Sequence, residues 1–240
     1  MDVQTKNWYN SFASSQIKTS INLRHYKIIN YLFNEGLNAN SRVLEIGCGI
    51  GTLTKLIAKS CPNGNITATD ISDDSINYAK KFLSNFKNTD FIVTNMSDFK
   101  VDKKFDIIVL ADVLEHIPKT FHSKLFSIIF NHMNESSVLI IHIPHFKLIE
   151  FLKENNPEML QIIDQPIYPN ELVSSAESNK LFLTNYKAYN LFNKDIDYVF
   201  ASFRKLEKHT RNELPRLTII KRKVVLRVLY LFRLYFSRFF

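Results

Sequence analysis

Val43-Leu44-Glu45-Ile46-Gly47-Cys48-Gly49-Ile50-Gly51-Thr52 decides the fold: an apolar strand runs into a glycine-rich turn and then into a helix beginning near Leu53. Gly47, Gly49 and Gly51 lack a Cβ and tolerate positive φ, so the turn can fold tightly and let a ligand rest almost on the main chain. The helix behind it aims unpaired N–H groups at that ligand. The spacing is not that of the dinucleotide fingerprint G-x-G-x-x-G, whose third glycine would fall at Thr52. A carboxylate, Glu45, sits inside the stretch, and Cys48 lies within the turn.

Working outward, strands and helices alternate as in an open α/β sheet. Helix is expected over Thr52 to Lys59, strand over Gly64 to Asp70, helix from Asp73 to about Phe86 and strand over Asp90 to Thr94. Strand Phe105 to Leu110 is nearly continuously apolar, as a parallel strand covered on both faces is. Helix from about Thr120 to Met133 and strand Ser137 to Ile143 follow. Asp70 ends its strand nineteen residues after Gly51. An ionised carboxylate there can accept both hydroxyls of a ribose. Its alternative, capping the next helix, suits Ser72 and Asp73 better. Ile71 is placed to lie on an adenine face. Toward the N-terminus, helix is expected from about Ser14 to Gly36. Ahead of it, Trp8, Tyr9 and Phe12 either cap a pocket or pack on the core. Arg24 either reaches a ligand carboxylate or stays solvated.

The glycine stretch, the acidic end of the second strand and Phe105-Asp-Ile-Ile-Val-Leu-Ala-Asp-Val-Leu-Glu-His-Ile-Pro118 occur in an order and spacing that resemble class I S-adenosylmethionine-dependent methyltransferases. The likeness is to the small-molecule group typified by ubiquinone-biosynthesis O-methyltransferases, and it covers about Arg42 to His145. It implies a doubly wound, seven-stranded, mostly parallel sheet closed by an antiparallel hairpin, here Leu181 to Tyr189 and Asp197 to Phe203. It implies S-adenosylmethionine as cofactor, held by Arg24, Glu45, Gly47, Cys48, Gly49, Asp70, Ile71, Asn95, Met96 and Leu110. Asn95 departs from the family pattern, which has an acidic residue facing the adenine amine; Asp98 from a shifted loop is the alternative. Residues 146–169 interrupt the alternation and are expected to form a lid over the acceptor site.

An oxygen acceptor needs a base that titrates near neutrality. His116 and His145, at the ends of the fourth and fifth strands, are the candidates, with Asp112 to orient an acceptor hydroxyl or steady a histidine. Strand alternation turns His142 away from Ile141 and Ile143, which reads as a satisfied core or edge histidine. His142 and His145 form H-x-x-H without a third ligand, so no metal is expected.

Hydrophobic content of 45% and charged content of 22% are those of an ordinary globular chain. Two cysteines without metal or redox spacing, and no basic-then-apolar pattern over Met1 to Trp8, give the expectation of reduced thiols in a cytoplasmic protein. The net charge of +8 is not spread evenly: residues 204–240 hold eleven Lys and Arg against two acidic residues, a net of +9, and the remainder is nearly neutral. On a helical wheel, Arg222, Lys223, Arg227, Arg233 and Arg238 gather on one side and Val224, Val225, Val228, Leu229, Leu231, Phe232 and Phe236 on the other. Such a helix suits an anionic membrane interface or a docked partner. Spanning is disfavoured by its arginines.

The division expected is an N-terminal helical cap over 1–40, the methyltransferase domain over 41–204 and a basic amphipathic tail over 205–240. The function expected is methyl transfer to a small molecule, lipid-linked or from a glycan pathway, at the inner face of a membrane through residues 216–240. An RNA methyltransferase using the tail, or a cofactor-binding partner without catalysis, are the alternatives. Val, Leu and Phe in the tail and no second basic patch argue against nucleic acid.

Overall fold

A computed structural model describes residues 20–205 and 213–236. It divides into two compact units, 1–206 and 207–240. In the first, helix α1 (Leu23–Asn34) precedes β1 (Arg42–Ile46), α2 (Thr52–Ser60), β2 (Asn65–Asp70), α3 (Asp73–Phe82), β3 (Thr89–Val93) and β4 (Phe105–Ala111). A 3-10 turn (Leu114–His116), α4 (Lys119–Asn131), β5 (Met133–Pro144), α5 (Phe146–Asn155), a 3-10 turn (Pro157–Met159), α6 (Pro169–Glu177), β6 (Leu181–Tyr189) and β7 (Tyr198–Lys205) complete it. The second unit holds α7 (Arg216–Phe236).

The seven strands order as β3-β2-β1-β4-β5-β7-β6, and β7 alone runs against the rest. This is the expected doubly wound sheet with its antiparallel ending. The chain winds to opposite sides of β1 and β4, which pair in parallel, so a crevice opens beyond their carboxyl ends. Both faces of the sheet are covered. One core gathers Leu44, Ile108, Leu110, Phe126 and Phe203, and the other Ile28, Val43, Ile57, Ile107 and Ile140. Alternate residues of β1 and β4 therefore enter opposite cores, as a period of two requires.

Several boundaries move for local reasons. Helix α1 begins at Leu23, not near Ser14, because Asn22 and His25 form a reciprocal capping box there. The expected residues 14–19, with Trp8, Tyr9 and Phe12, lie outside the described residues. Gly36 ends the helix region at φ +111°. Helix α3 stops at Phe82 rather than Phe86, and Ser72 caps it by accepting from the Ser75 N–H at 3.1 Å. Strand β5 starts four residues earlier than expected, at Met133, beside Phe105.

Gly47, Gly49 and Gly51 all take positive φ. A Cβ on Gly47 would lie 2.3 Å from Val113 Cγ2, and one on Gly51 2.8 Å from Leu83 Cδ1. The first glycine thus lets the turn after β1 meet the turn after β4; the third seats α2 against α3.

Candidate active site

Two adjoining cavities open over the carboxyl ends of the parallel strands. The first, of about 120 Å³, is lined by Asp70, Ile71, Asn95, Met96, Val113 and His116 among others. The second, of about 390 Å³, is lined by Arg24, His25, Glu45, Cys48, Thr52 and Ala111 among others. Gly47, Gly49, Asp112 and Gln161 border both.

The main chain fixes Asp70 against the first cavity. Its Oδ2 accepts from the Gly49 N–H at 2.8 Å and its Oδ1 from the Ser72 N–H at 2.9 Å. Burial pushes this carboxyl up, and the Ser72, Gly49 and Ile71 N–H groups draw it back. Each oxygen keeps lone-pair capacity for a hydroxyl. A carboxylate held at this strand tip, with Ile71 beside it and Asn95 and Met96 on the neighbouring turn, fits the ribose and adenine of a nucleoside. Asn95 Oδ1 accepts from the Ser97 N–H at 2.9 Å, and the Met96 N–H is taken by Thr94 Oγ1 at 3.0 Å. The Asn95 side-chain oxygen and the Met96 N–H are thus engaged locally, and both residues border the first cavity. Asp98 is exposed and borders neither cavity.

Glu45 and Cys48 are buried at the floor of the second cavity. Thr54 Oγ1 donates to Glu45 Oε2 at 2.6 Å. Burial pushes the Glu45 carboxyl up to about 8, and the Cys48 thiol up as well.

One wall of the second cavity is a charged network. Asp112, at φ +55°, accepts from Arg24 Nη1 at 2.7 Å and pairs with His142 Nδ1 at 2.9 Å. His142 Nε2 meets Tyr189 Oη at 2.8 Å, and Arg24 Nη1 reaches Tyr198 Oη at 3.4 Å. Burial alone would raise Asp112, but the charges of Arg24 and His142 prevail and hold it at about 2. His25 bridges to α2, its Nε2 lying 2.9 Å from Thr52 Oγ1. Burial and then Arg24 push His25 down to about 4, so it is neutral at physiological pH. His142 is the buried histidine that strand alternation implied, yet its ring also braces Asp112, which alternation does not reveal.

His116 borders the first cavity. Its Nδ1 lies 2.6 Å from the Ile163 carbonyl and 3.2 Å from Asp164 Oδ1. A carbonyl only accepts, so Nδ1 carries the hydrogen and Nε2 is the acceptor of the neutral ring. Its neighbour Glu115 is almost wholly buried, and burial and then Asp112 push its carboxyl well up.

Two expected site residues fall elsewhere. His145 borders neither cavity: it caps α5, accepting from the Lys147 N–H at 3.4 Å, and burial lowers its pKa. Position just past a strand end serves a helix cap as well as a site, and here the cap takes it. Leu110 also borders neither cavity, because its side chain is fully buried in the core; Ala111, one residue on, reaches the second cavity. Conversely, Gln161, His25 and Tyr198 join the site without having been expected there. No motif surrounds Gln161, and Tyr198 is 174 residues from Arg24.

Among the described residues, no group of three or more His, Cys, Asp or Glu is placed to hold a metal ion.

A family model described as a methyltransferase domain matches residues 37–210. Protein 235L of Invertebrate iridescent virus 6, itself a methyltransferase by assignment only, is 30% identical over 205 residues, 78% of this chain and 71% of that protein. Malonyl-[acyl-carrier protein] O-methyltransferase 1 of Ilyobacter polytropus is 26% identical over 176 residues; the match spans 72% of this chain but only 61% of that enzyme. Among solved structures, magnesium protoporphyrin IX methyltransferase from Synechocystis PCC 6803 with bound S-adenosylhomocysteine superposes with a TM-score of 0.66 at 14% identity, over 83% of this chain and 97% of that one. The N-methyltransferase NodS from Bradyrhizobium japonicum WM9, with the same nucleoside, gives 0.62 at 19%, over 77% and 86%. At those identities the likeness is one of fold. With a crevice at the strand tips and a family match over most of its length, the chain belongs to the methyltransferase-domain family, class I enzymes that depend on S-adenosylmethionine.

Proposed function

We propose that the chain transfers a methyl group to a small molecule carrying a nucleophilic oxygen or nitrogen, and that it works at an anionic membrane surface. The observation that carries the first part is the placement of His116 and Asp112 on the lining of the Asp70 crevice, Asp112 where that crevice meets the second cavity. When bound, S-adenosylmethionine supplies an electrophilic methyl, which bonds to the acceptor's lone pair while the carbon–sulfur bond breaks and its electrons stay on sulfur. The residues align the two reactants and exclude water. Asp70 takes the ribose hydroxyls, Ile71 and Met96 flank the base, and Gly47 and Gly49 let the methionyl part lie on main chain. Arg24 meets a carboxylate only by sharing its charge with Asp112. His116 Nε2 takes the proton the acceptor loses, its ring fixed by Ile163 and Asp164.

The membrane part rests on α7. From Arg216 to Phe232 its side chains are exposed apart from half-buried Thr218, including Val224, Val225, Val228, Leu229 and Phe232. No helix among the described residues is long and apolar enough to cross a membrane. A helix with Arg222, Lys223 and Arg227 beside such an apolar side is drawn to anionic lipid, each cation adding about 1 kcal/mol near the surface. The lid also turns Phe151, Met159 and Ile162 outward.

Two measurements test these parts. Labelled methyl from S-adenosylmethionine should enter low-molecular-weight or lipid fractions of a cell extract and not RNA; label in RNA overturns the small-molecule reading. Sedimentation with phosphatidylserine vesicles should be lost on removing 216–240 and in high salt; no sedimentation of the intact chain overturns the membrane reading.

A further inference from the structure

The segment after α5 is tied onto the turn after β4 by main-chain and side-chain bonds. The Gln165 N–H donates to the Glu115 carbonyl at 3.1 Å, and Gln165 Nε2 to the Ile117 carbonyl at 2.9 Å. Asp164 joins both ends of this clasp: its Oδ2 accepts from the Gln161 N–H at 2.7 Å, while its Oδ1 faces His116 Nδ1. The clasp fixes Gln161 where the two cavities meet. There its Oε1 is buried and has no hydrogen-bond partner among the described residues. An amide oxygen buried without a donor is destabilising, and a ligand donor would relieve it.

We propose that Gln161 reads the methyl acceptor: its Oε1 accepts a hydrogen bond from the attacking group, so the acceptor is a hydroxyl or an amine and not a carboxylate. The inference rests on the methyltransferase reading above and narrows it. In S-adenosylmethionine the sulfonium links the adenosyl and methionyl parts, so a cofactor that spans both cavities brings its methyl to the residues bordering both. Those residues offer Asp112, already engaged by Arg24 and His142, and the open acceptor of Gln161. His116, which lines the first cavity, offers Nε2 as a second acceptor. Two acceptors facing the incoming atom repel a carboxylate and attract O–H or N–H. An amine has a second proton, which passes to His116 Nε2 as its lone pair bonds to carbon; a hydroxyl has one, which Gln161 orients in the ground state and which moves to His116 Nε2 as the carbon–oxygen bond forms and the carbon–sulfur bond breaks.

Sinefungin tests this directly, because an amine on carbon replaces the sulfonium methyl. Calorimetry on the intact chain should show sinefungin binding about tenfold more tightly than S-adenosylhomocysteine. Gln161→Met should bring the two within about twofold, the loss falling on sinefungin more than on S-adenosylhomocysteine, and Gln161→Glu should keep or widen the preference. A preference untouched by Gln161→Met overturns the proposal, as does a wild-type preference for S-adenosylhomocysteine, which would turn the amide N–H toward the site. Alkaline treatment of labelled product gives an independent readout: the methyl should be base-stable, as an ether or methylamine, and release of labelled methanol would reveal an ester and overturn it. If the folded chain bound neither nucleoside, the cofactor reading itself would fall, and this inference with it.

Discussion

The two walls of the proposed active site are built in different ways. The proposed cofactor wall comes from the tips of β1, β2 and β3 and is held by main chain: Gly49 and Ser72 N–H groups fix Asp70, and three glycines shape the turn. The proposed acceptor wall comes from side chains far apart in sequence, Asp112 and His116 after β4 and Gln161 from the insertion, with Arg24 from α1 and His142 from β5 bracing Asp112. Parallel strands leave the first wall little freedom, whereas the second depends on ion pairs and on the Asp164 clasp. A substitution on the first wall should therefore act on cofactor affinity, and one on the second on stability, proton balance and acceptor choice.

The largest expected effect is at Asp70. Asp70→Asn should weaken S-adenosylhomocysteine binding about 100-fold, the scale of two hydrogen bonds to a charged group. Calorimetry finding less than threefold would break the contrast by removing the cofactor wall's anchor. Glu45→Gln should come next. With its folded pKa near 8 against an ordinary 4.5, Glu45 holds a proton in the native state that the unfolded chain releases. Stability therefore falls as pH rises from about 4.5 to 8, and the penalty is full above 8. The variant should gain about 2 kcal/mol in urea unfolding at pH 8.5 and little at pH 4; equal gains at both would show that Glu45 is ionised when folded.

On the acceptor wall, Arg24→Gln should cost about 1 kcal/mol at neutral pH by leaving Asp112 to His142 alone. Asp112, depressed to about 2, contributes stability that is complete above its ordinary 3.8 and lost as pH falls through 2. Without Arg24, acid unfolding should begin at higher pH. The smallest effect is expected at His145: His145→Gln should change stability by less than about 0.5 kcal/mol and leave turnover unchanged. A tenfold fall in turnover would move the acceptor wall toward β5.

The turn after β1 was legible in sequence because glycine spacing and strand period constrain it locally, and Asp70 stands at a strand end as expected. The alternation of strands and helices was legible from the same periodicity, and the seven-stranded sheet with its antiparallel ending and β6 at Leu181–Tyr189 from the family resemblance. Leu110 and His145 were misplaced by one and the same cause: a strand end fixes a neighbourhood, not which side chain turns into the crevice. Gln161 was invisible because nothing local marks it; the bonds of Asp164 to His116, 48 residues away, and of Gln165 to the Glu115 and Ile117 carbonyls put it in the site. His25 shows a similar limit, since its role as a helix cap and tether to Thr52 needs the approach of α1 to α2.

The central claim is that one nucleoside lies across both cavities. Equilibrium titration of the intact chain with S-adenosylhomocysteine tests it most directly, with adenosine and a nicotinamide dinucleotide as controls. The account predicts one S-adenosylhomocysteine per chain, weaker binding of adenosine and none of the dinucleotide. A folded chain that takes up no S-adenosylhomocysteine, or takes up the dinucleotide more tightly, would contradict it.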